Sequence, residues 1–213
     1  MAIVRLFDVR WVSHTAGPSP VTNEFGPNCR TELFFMGCNR GASGNPCPGC
    51  FNPKLWETIP GARELVPHEM AEHIEKFAPQ KYITIVGGEP CDQMEGLTEL
   101  CEELKKKSFH IIVFTHYTLQ ELYEMFDKSL VKRFVSNCDM LVDGEYKANE
   151  RIYDESYHDG FHDAIGSGNQ VIWDLATGEP YRGLYARDVL GIFIDNEGTL
   201  KYITNGDVDW THN

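Results

Sequence analysis

The chain has 213 residues, 42% of them apolar and 24% charged, and a formal net charge of −13. That length can bury a sizeable core in one domain without disulfide staples, and the composition excludes disordered and collagen-like classes. The acidic balance argues against a nucleic-acid footprint, and no apolar run approaches the roughly 18 residues of a membrane span.

Taken in order, residues 2–12 (AIVRLFDVRWV) read as a first strand, with charge mixed through the apolar positions, unlike a signal peptide. A Pro/Gly/Ser/Thr-rich excursion covers 13–28. Residues 30–37 form a buried strand that runs into a Gly/Pro-rich loop. Residues 67–78 carry helical spacing (Met70, Ile74, Phe77), with Pro67 at the start, where its missing N–H costs nothing. The β-branched run 81–86 (KYITIV) is a strand, stopped by Gly87-Gly88-Glu89-Pro90. Residues 93–107 return to helical period through Leu97, Leu100, Cys101 and Leu104. A strand at 110–115, helices at 119–126 and 129–135, and a strand at 139–142 follow. Strands alternating with helices of this length imply parallel β-α units, an α/β class. Beyond Glu145 the pattern breaks down. Residues 147–163 are polar and irregular, 170–175 look like a strand, and 191–194 with 200–203 flank a hairpin turn at Asn196-Glu197-Gly198. We expect one domain over 1–213, with a core at about 26–175 and an appendage at about 176–213.

Seven cysteines form an odd set without the spacing of a secreted disulfide framework. A reducing, cytoplasmic setting is expected, where thiols bind metals or react. Cys38, Cys47 and Cys50 share the loop MGCNRGASGNPCPGC, directly after the apolar run TELFF. Cys47 and Cys50 form a C-x2-C pair that can aim both sulfurs at one centre. Three thiolates with no fourth nearby suit a 4Fe-4S cluster with one iron left open, since full coordination takes four. A structural zinc would close the set with Cys29 or Cys91. The cysteine loop and GGEP both follow strands, and parallel sheets bind ligands at those carboxyl ends. Paired glycines allow close backbone approach, and Glu89 could accept a hydrogen bond from a ligand ammonium. Taken alone, GGEP is an ordinary turn; beside three cysteines it becomes a candidate ligand contact.

The segments FFMGC, CPGCFN, GGEP, FTHYTLQEL, DMLVDGEY and GSGNQVIWDL occur in that order over some 150 residues. Together they resemble the radical S-adenosylmethionine (SAM) activating enzymes, in the branch that acts on anaerobic ribonucleotide reductases. The resemblance implies a partial (β/α) barrel of the radical SAM type with an irregular C-terminal extension. It implies a 4Fe-4S cluster on Cys38, Cys47 and Cys50 whose open iron is chelated by SAM. Gly87, Gly88, Glu89 and Pro90 would contact the methionine end of SAM, and Phe51 and Asn52 would pack near its adenine. Thr115, His116 and Asp143, at strand ends on the ligand side, are further candidate SAM contacts. One electron would split SAM into methionine and a 5′-deoxyadenosyl radical, which takes a hydrogen from a glycine of a large glycyl-radical reductase subunit. No side chain beyond the cluster ligands need be catalytic, since the cofactors carry the chemistry. A low-potential donor such as a flavodoxin is the implied electron source.

The family spaces its cysteines C-x3-C-x2-C, whereas this chain reads C-x8-C-x2-C, with the extra residues in 41–45 (GASGN). Lengthening that loop costs only about 0.9 kcal/mol of closure entropy, so all three cysteines are retained as ligands. A rival reading keeps the cofactors but places the chain among radical SAM enzymes of small molecules, such as the 7-carboxy-7-deazaguanine synthases; the LVDG and GSGNQ segments count against it. Cys91, Cys101 and Cys138 are expected to be buried small hydrophobes. Ser167, Asn169 and Gln170 match the family motif without a chemical role that residue type reveals. His158 and His162 belong to a solvated loop. Lys105, Lys106 and Lys107 complement a helix carboxyl end, the alternative being a docking patch for an acidic electron carrier.

Overall fold

A computed structural model describes residues 2–13, 29–58, 62–150, 166–181, 189–194 and 200–204. The expected excursion at 14–28, His158 and His162, and the turn at 196–198 lie outside the described residues.

The architecture is an open, mixed eight-stranded sheet with helices on one face. Its centre is four parallel strands: β2 (Arg30–Phe35), β4 (Tyr82–Gly87), β5 (His110–Phe114) and β6 (Met140–Asp143). Their register aligns Leu33 with Ile85, Ile83 with Ile111, and Val113 with Leu141. Antiparallel strands extend both edges. β1 (Val4–Ser13) pairs with β2 and carries the short β3 (Arg63–Leu65), while β7 (Val171–Asp174) pairs with β6 and carries β8 (Glu179–Pro180). The hairpin strands β9 (Val189–Ile194) and β10 (Leu200–Thr204) pair antiparallel in a separate two-stranded sheet. The α/β expectation therefore holds, in a sheet that does not close on itself.

Alternation along the strands decides which face is covered. Leu33, Phe35, Ile83, Ile85, Ile111, Val113 and Leu141 point to one side and pack with the buried faces of the helices in one large core. α2 (Pro67–Phe77) contributes Met70, Ala71 and Ile74, and α3 (Met94–Lys106) contributes Leu97, Leu100, Cys101 and Leu104. α4 (Leu119–Met125) opens with a capping box between Thr118 and Glu121, and α5 (Lys128–Ser136) with Asp127 accepting from the N–H groups of Ser129 and Leu130. The opposite face is less apolar. Arg30 is fully buried there, donating to Thr84 Oγ1 (2.7 Å) and to the Ile83 and His110 carbonyls. Nearer the carboxyl ends, Ile112, Met140, Val142 and Ile172 form a small second core.

Each lysine of the 105–107 run is engaged: Lys105 with Asp139 (2.8 Å), Lys106 with Glu103, and Lys107 with Glu75 (2.6 Å). The run ties helix ends to their neighbours, so it offers no bare positive patch of the kind the docking alternative requires. Cys91, Cys101 and Cys138 are buried as expected, and burial pushes the Cys91 and Cys138 thiols well up.

Candidate cluster and cofactor site

All four parallel strands end at one cavity of about 180 Å³ that opens to solvent. It is lined by Cys38 after β2, Gly87, Gly88 and Glu89 at the end of β4, Thr115 and His116 after β5, and Gly144 after β6. Cys47, Cys50, Phe51 and Asn52 complete one wall, with Trp56, Tyr146 and Gln170. A larger open groove of about 660 Å³ lies on the other side of Cys38 and Trp56, but only the smaller cavity gathers all three thiols.

The cysteine loop is held by backbone bonds on both sides. Gly37 N–H donates to the Leu55 carbonyl and Cys38 N–H to that of Trp56, both at 2.9 Å. The residues after Cys38 wind into a single helical turn, α1 (Asn39–Ala42), which takes in only the first two of the extra residues 41–45 and is too short for its periodicity to be read. A Cβ on Gly41 would stand 2.1 Å from Trp56 Cγ, so only glycine lets the indole pack on this turn. Cys47 and Cys50 close a tight turn, Cys50 N–H to Cys47 O at 3.0 Å, with Gly49 at φ +79°.

The three sulfurs differ in their surroundings. The backbone amides of Gly41 and Arg40 favour charge on Cys38 and that of Tyr146 favours it on Cys47, without a cap hydrogen bond closing to the Cys38 side chain. Cys50 accepts from Asn52 N–H and the Trp56 indole N–H, each at 3.4 Å. Burial raises the Cys38 and Cys47 thiols, and these donors pull the other way, favouring sulfur that carries negative charge. That is the state a metal demands of its cysteines. Among the described residues no three His, Cys, Asp or Glu side chains group tightly enough for a single metal ion. Three sulfurs arranged around one cavity fit a cluster with several irons. A zinc set is not completed by Cys29, which lies before the six-residue β2, about 20 Å of strand from the loop. Nor does Cys91 complete it, being fully buried and outside the cavity lining.

GGEP does something the sequence did not reveal. A Cβ on Gly87 would lie 2.2 Å from the Phe35 carbonyl oxygen, and one on Gly88 2.2 Å from that of Gly37. Gly88 N–H donates to Phe35 O (2.9 Å) and Glu89 N–H to Gly37 O (2.7 Å). The glycines thus let the end of β4 lie directly on the cysteine loop. Gly88→Ala is expected to cost about 3 kcal/mol, read as a lower urea midpoint with unchanged slope. A loss below about 1 kcal/mol would mean the two backbones are not held together in this way.

Glu89 is 1% exposed, and its carboxylate collects donors from two strands' ends. Oε1 accepts from Cys91 N–H (2.9 Å) and the Thr115 hydroxyl (2.7 Å); Oε2 accepts from His116 N–H (2.8 Å). Burial pushes the carboxyl up to about 7, against the pull of those donors. With two lone pairs per oxygen, Oε2 keeps one acceptor position. Thr115 and His116, expected as cofactor contacts, line the cavity while fixing this carboxylate. Asn52 joins the last cysteine to GGEP, its Nδ2 donating to Gly87 O (3.1 Å). Phe51 is 65% exposed and leans on Tyr146, ring centroids 5.0 Å apart.

Two expected contacts are placed elsewhere. Pro90 is buried at the start of a 3₁₀ turn and does not line the cavity. The Asp143 carboxylate turns to Leu119 N–H (2.7 Å) and the Trp173 indole (2.8 Å), tying β6 to α4 and β7, and Gly144 lines the cavity instead.

The GSGNQ segment acts by holding a loop. Asn169 Nδ2 donates to Glu145 O and Gln170 Nε2 to Gly144 O, while Ser167 Oγ accepts from Lys147 N–H. These bonds fix residues 144–147, which bring Tyr146 into the cavity wall with Cys47. Trp56, Tyr146, Arg40 and Glu145 were not singled out from sequence. The signal available for the latter pair was their place beside Cys38 and beside the DGEY tyrosine.

The family described as the 4Fe-4S single cluster domain matches residues 25–173, well over half of the chain. The chain belongs to this family. It is an activating enzyme of the radical SAM type, with a 4Fe-4S cluster and SAM as its cofactors. Among curated relatives, the anaerobic ribonucleoside-triphosphate reductase-activating protein of Enterobacteria phage T4 is 25% identical over 162 residues, covering 72% of this chain and 88% of the relative. Pyruvate formate-lyase-activating enzymes of Clostridium pasteurianum and Staphylococcus epidermidis are 32% and 34% identical, each over 95 residues. Those matches cover 42% of this activating enzyme and only 37% and 36% of the relatives. No helix among the described residues is long and apolar enough to cross a membrane.

Proposed function

We propose that this enzyme reductively cleaves SAM at a 4Fe-4S cluster held by Cys38, Cys47 and Cys50, and so installs a glycyl radical on an anaerobic ribonucleotide reductase. The observation that carries the reading is the convergence of the three thiols on the cavity that also receives Gly87–Glu89. When bound, the cluster supplies the single electron that breaks the carbon–sulfur bond of SAM. The chain's own residues bind and orient. Glu89 presents its remaining acceptor position to the SAM ammonium, fixed by Thr115 and His116. Phe51 and Tyr146 supply an aromatic edge for the adenine. Extensive coverage of the phage reductase-activating relative favours a reductase as partner over pyruvate formate-lyase. A low-potential carrier such as a flavodoxin is the proposed electron donor, and a reducing cytoplasm the proposed setting.

Anaerobic reconstitution with iron, sulfide, SAM and dithionite tests this. About four irons per chain, 5′-deoxyadenosine, and a glycyl radical signal on added anaerobic ribonucleotide reductase are expected. A signal only with pyruvate formate-lyase would reassign the partner. Product without a signal on either protein favours the small-molecule reading, and a single bound zinc sinks the radical mechanism.

A further inference from the structure

Arg40 and Glu145, 105 residues apart in sequence, form a two-pronged ion pair behind the cysteine loop: Nη1 to Oε2 at 2.7 Å and Nη2 to Oε1 at 3.0 Å. Both side chains are largely covered, at 24% and 28% exposure, so solvent and salt screen them only in part. The pair joins the stretches that carry two ligand sulfurs. Arg40 lies two residues after Cys38, and its Nε reaches Asn45 O (3.2 Å), two residues before Cys47. Glu145 precedes Tyr146, which lines the cavity with Cys47. The helical turn that follows Cys38 carries the guanidinium, and Gly41 packed under Trp56 keeps the turn from shifting.

The charges act in opposite directions on the same atoms. Arg40 is a cation and Glu145 an anion, held together between the residues that flank Cys38 and Cys47. A 4Fe-4S centre that gains one electron becomes more negative by one charge. A neighbouring cation therefore stabilises its reduced state and a neighbouring anion its oxidised state.

We infer that the Arg40–Glu145 pair sets how readily the cluster accepts its electron, with Arg40 favouring reduction and Glu145 holding that effect in check. Arg40 is a positioning and potential-setting residue; it transfers nothing to SAM. The inference rests on the cluster assignment above.

The test reconstitutes wild type, Arg40→Gln, Arg40→Lys and Glu145→Gln anaerobically, measures iron and sulfide, and follows the reduced cluster by electron paramagnetic resonance at poised potentials. Arg40→Gln lowers the ratio of reduced to oxidised cluster about tenfold at fixed potential, about 59 mV for a one-electron couple. Glu145→Gln shifts it the other way, and Arg40→Lys, which keeps the charge, stays near wild type. A purely structural latch would move Arg40→Gln and Glu145→Gln in the same direction; that result, or no shift in either, overturns the inference. Should Arg40→Gln take up no cluster, the sign of the Glu145→Gln shift decides: positive supports it, zero or negative overturns it. Wild-type protein that takes up no iron overturns the cluster reading and this inference with it.

Discussion

Cys47→Ala reconstituted with iron and sulfide yields no 5′-deoxyadenosine above the protein-free control. The loss exceeds the roughly 10- to 100-fold typical of removing an outer-shell partner, because a ligand itself is gone and no neighbour can replace it. The remaining thiols are remote or committed elsewhere. Cys29 lies beyond the far end of β2, Cys91 is buried outside the cavity, and Cys101 and Cys138 face each other in the core, sulfurs 3.6 Å apart. The matched control is Cys101→Ala, which removes a buried thiol from the core and leaves cluster content and product in place. Full iron content and turnover in Cys47→Ala would mean that another residue completes the site, and the three-thiol assignment would fall.

SAM affinity is expected to fall about tenfold per pH unit below pH 7 and to level off above it. The sign follows from Glu89, whose carboxyl is pushed up to about 7 by burial. A ligand ammonium needs the ionised form, so below that value binding must first displace a proton. Above it the carboxylate is already charged and pH ceases to matter. Glu89→Gln removes both the charge and the slope, weakening binding about 10- to 100-fold at pH 8 through loss of a hydrogen bond to a charged group. Equilibrium binding of SAM to the reconstituted protein at pH 6, 7 and 8 reads both effects. Equal affinity and equal slope in Glu89→Gln and wild type would place the ammonium elsewhere.

Much of the frame was legible because it obeys simple periods. KYITIV, the Met70/Ile74 spacing and the Leu97/Leu100/Leu104 spacing mark a strand and two helices whose ends move by only a residue or two. Cys38, Cys47 and Cys50 were legible because thiols in one loop have few other uses. Three kinds of feature were not. The edge strand Arg63–Leu65 has three residues and no buried face, so it carries no pattern, and α1 is a turn held by Trp56 packing rather than by propensity. For Gly87 and Gly88 one partner was hidden: a glycine tells that something comes close, not what, and here the backbone of residues 35–37 does so while both glycines also line the cavity. Ser167, Asn169, Gln170, Arg40 and Glu145 act through partners far away in sequence. Their residue types are ordinary on any surface, and only the fold shows what they hold.

The cavity that gathers the three sulfurs is walled by the early stretch that carries Cys38, Cys47, Cys50 and Trp56 and by Gly144 and Tyr146, far later in the chain. Iron bound among them becomes a rivet between an early loop and the late strand β7, reached through Tyr146, Lys147 and Ser167. Amide hydrogen exchange at Tyr146 and Lys147 should accordingly slow when iron and sulfide are added, so that loading is also the last stage of assembly.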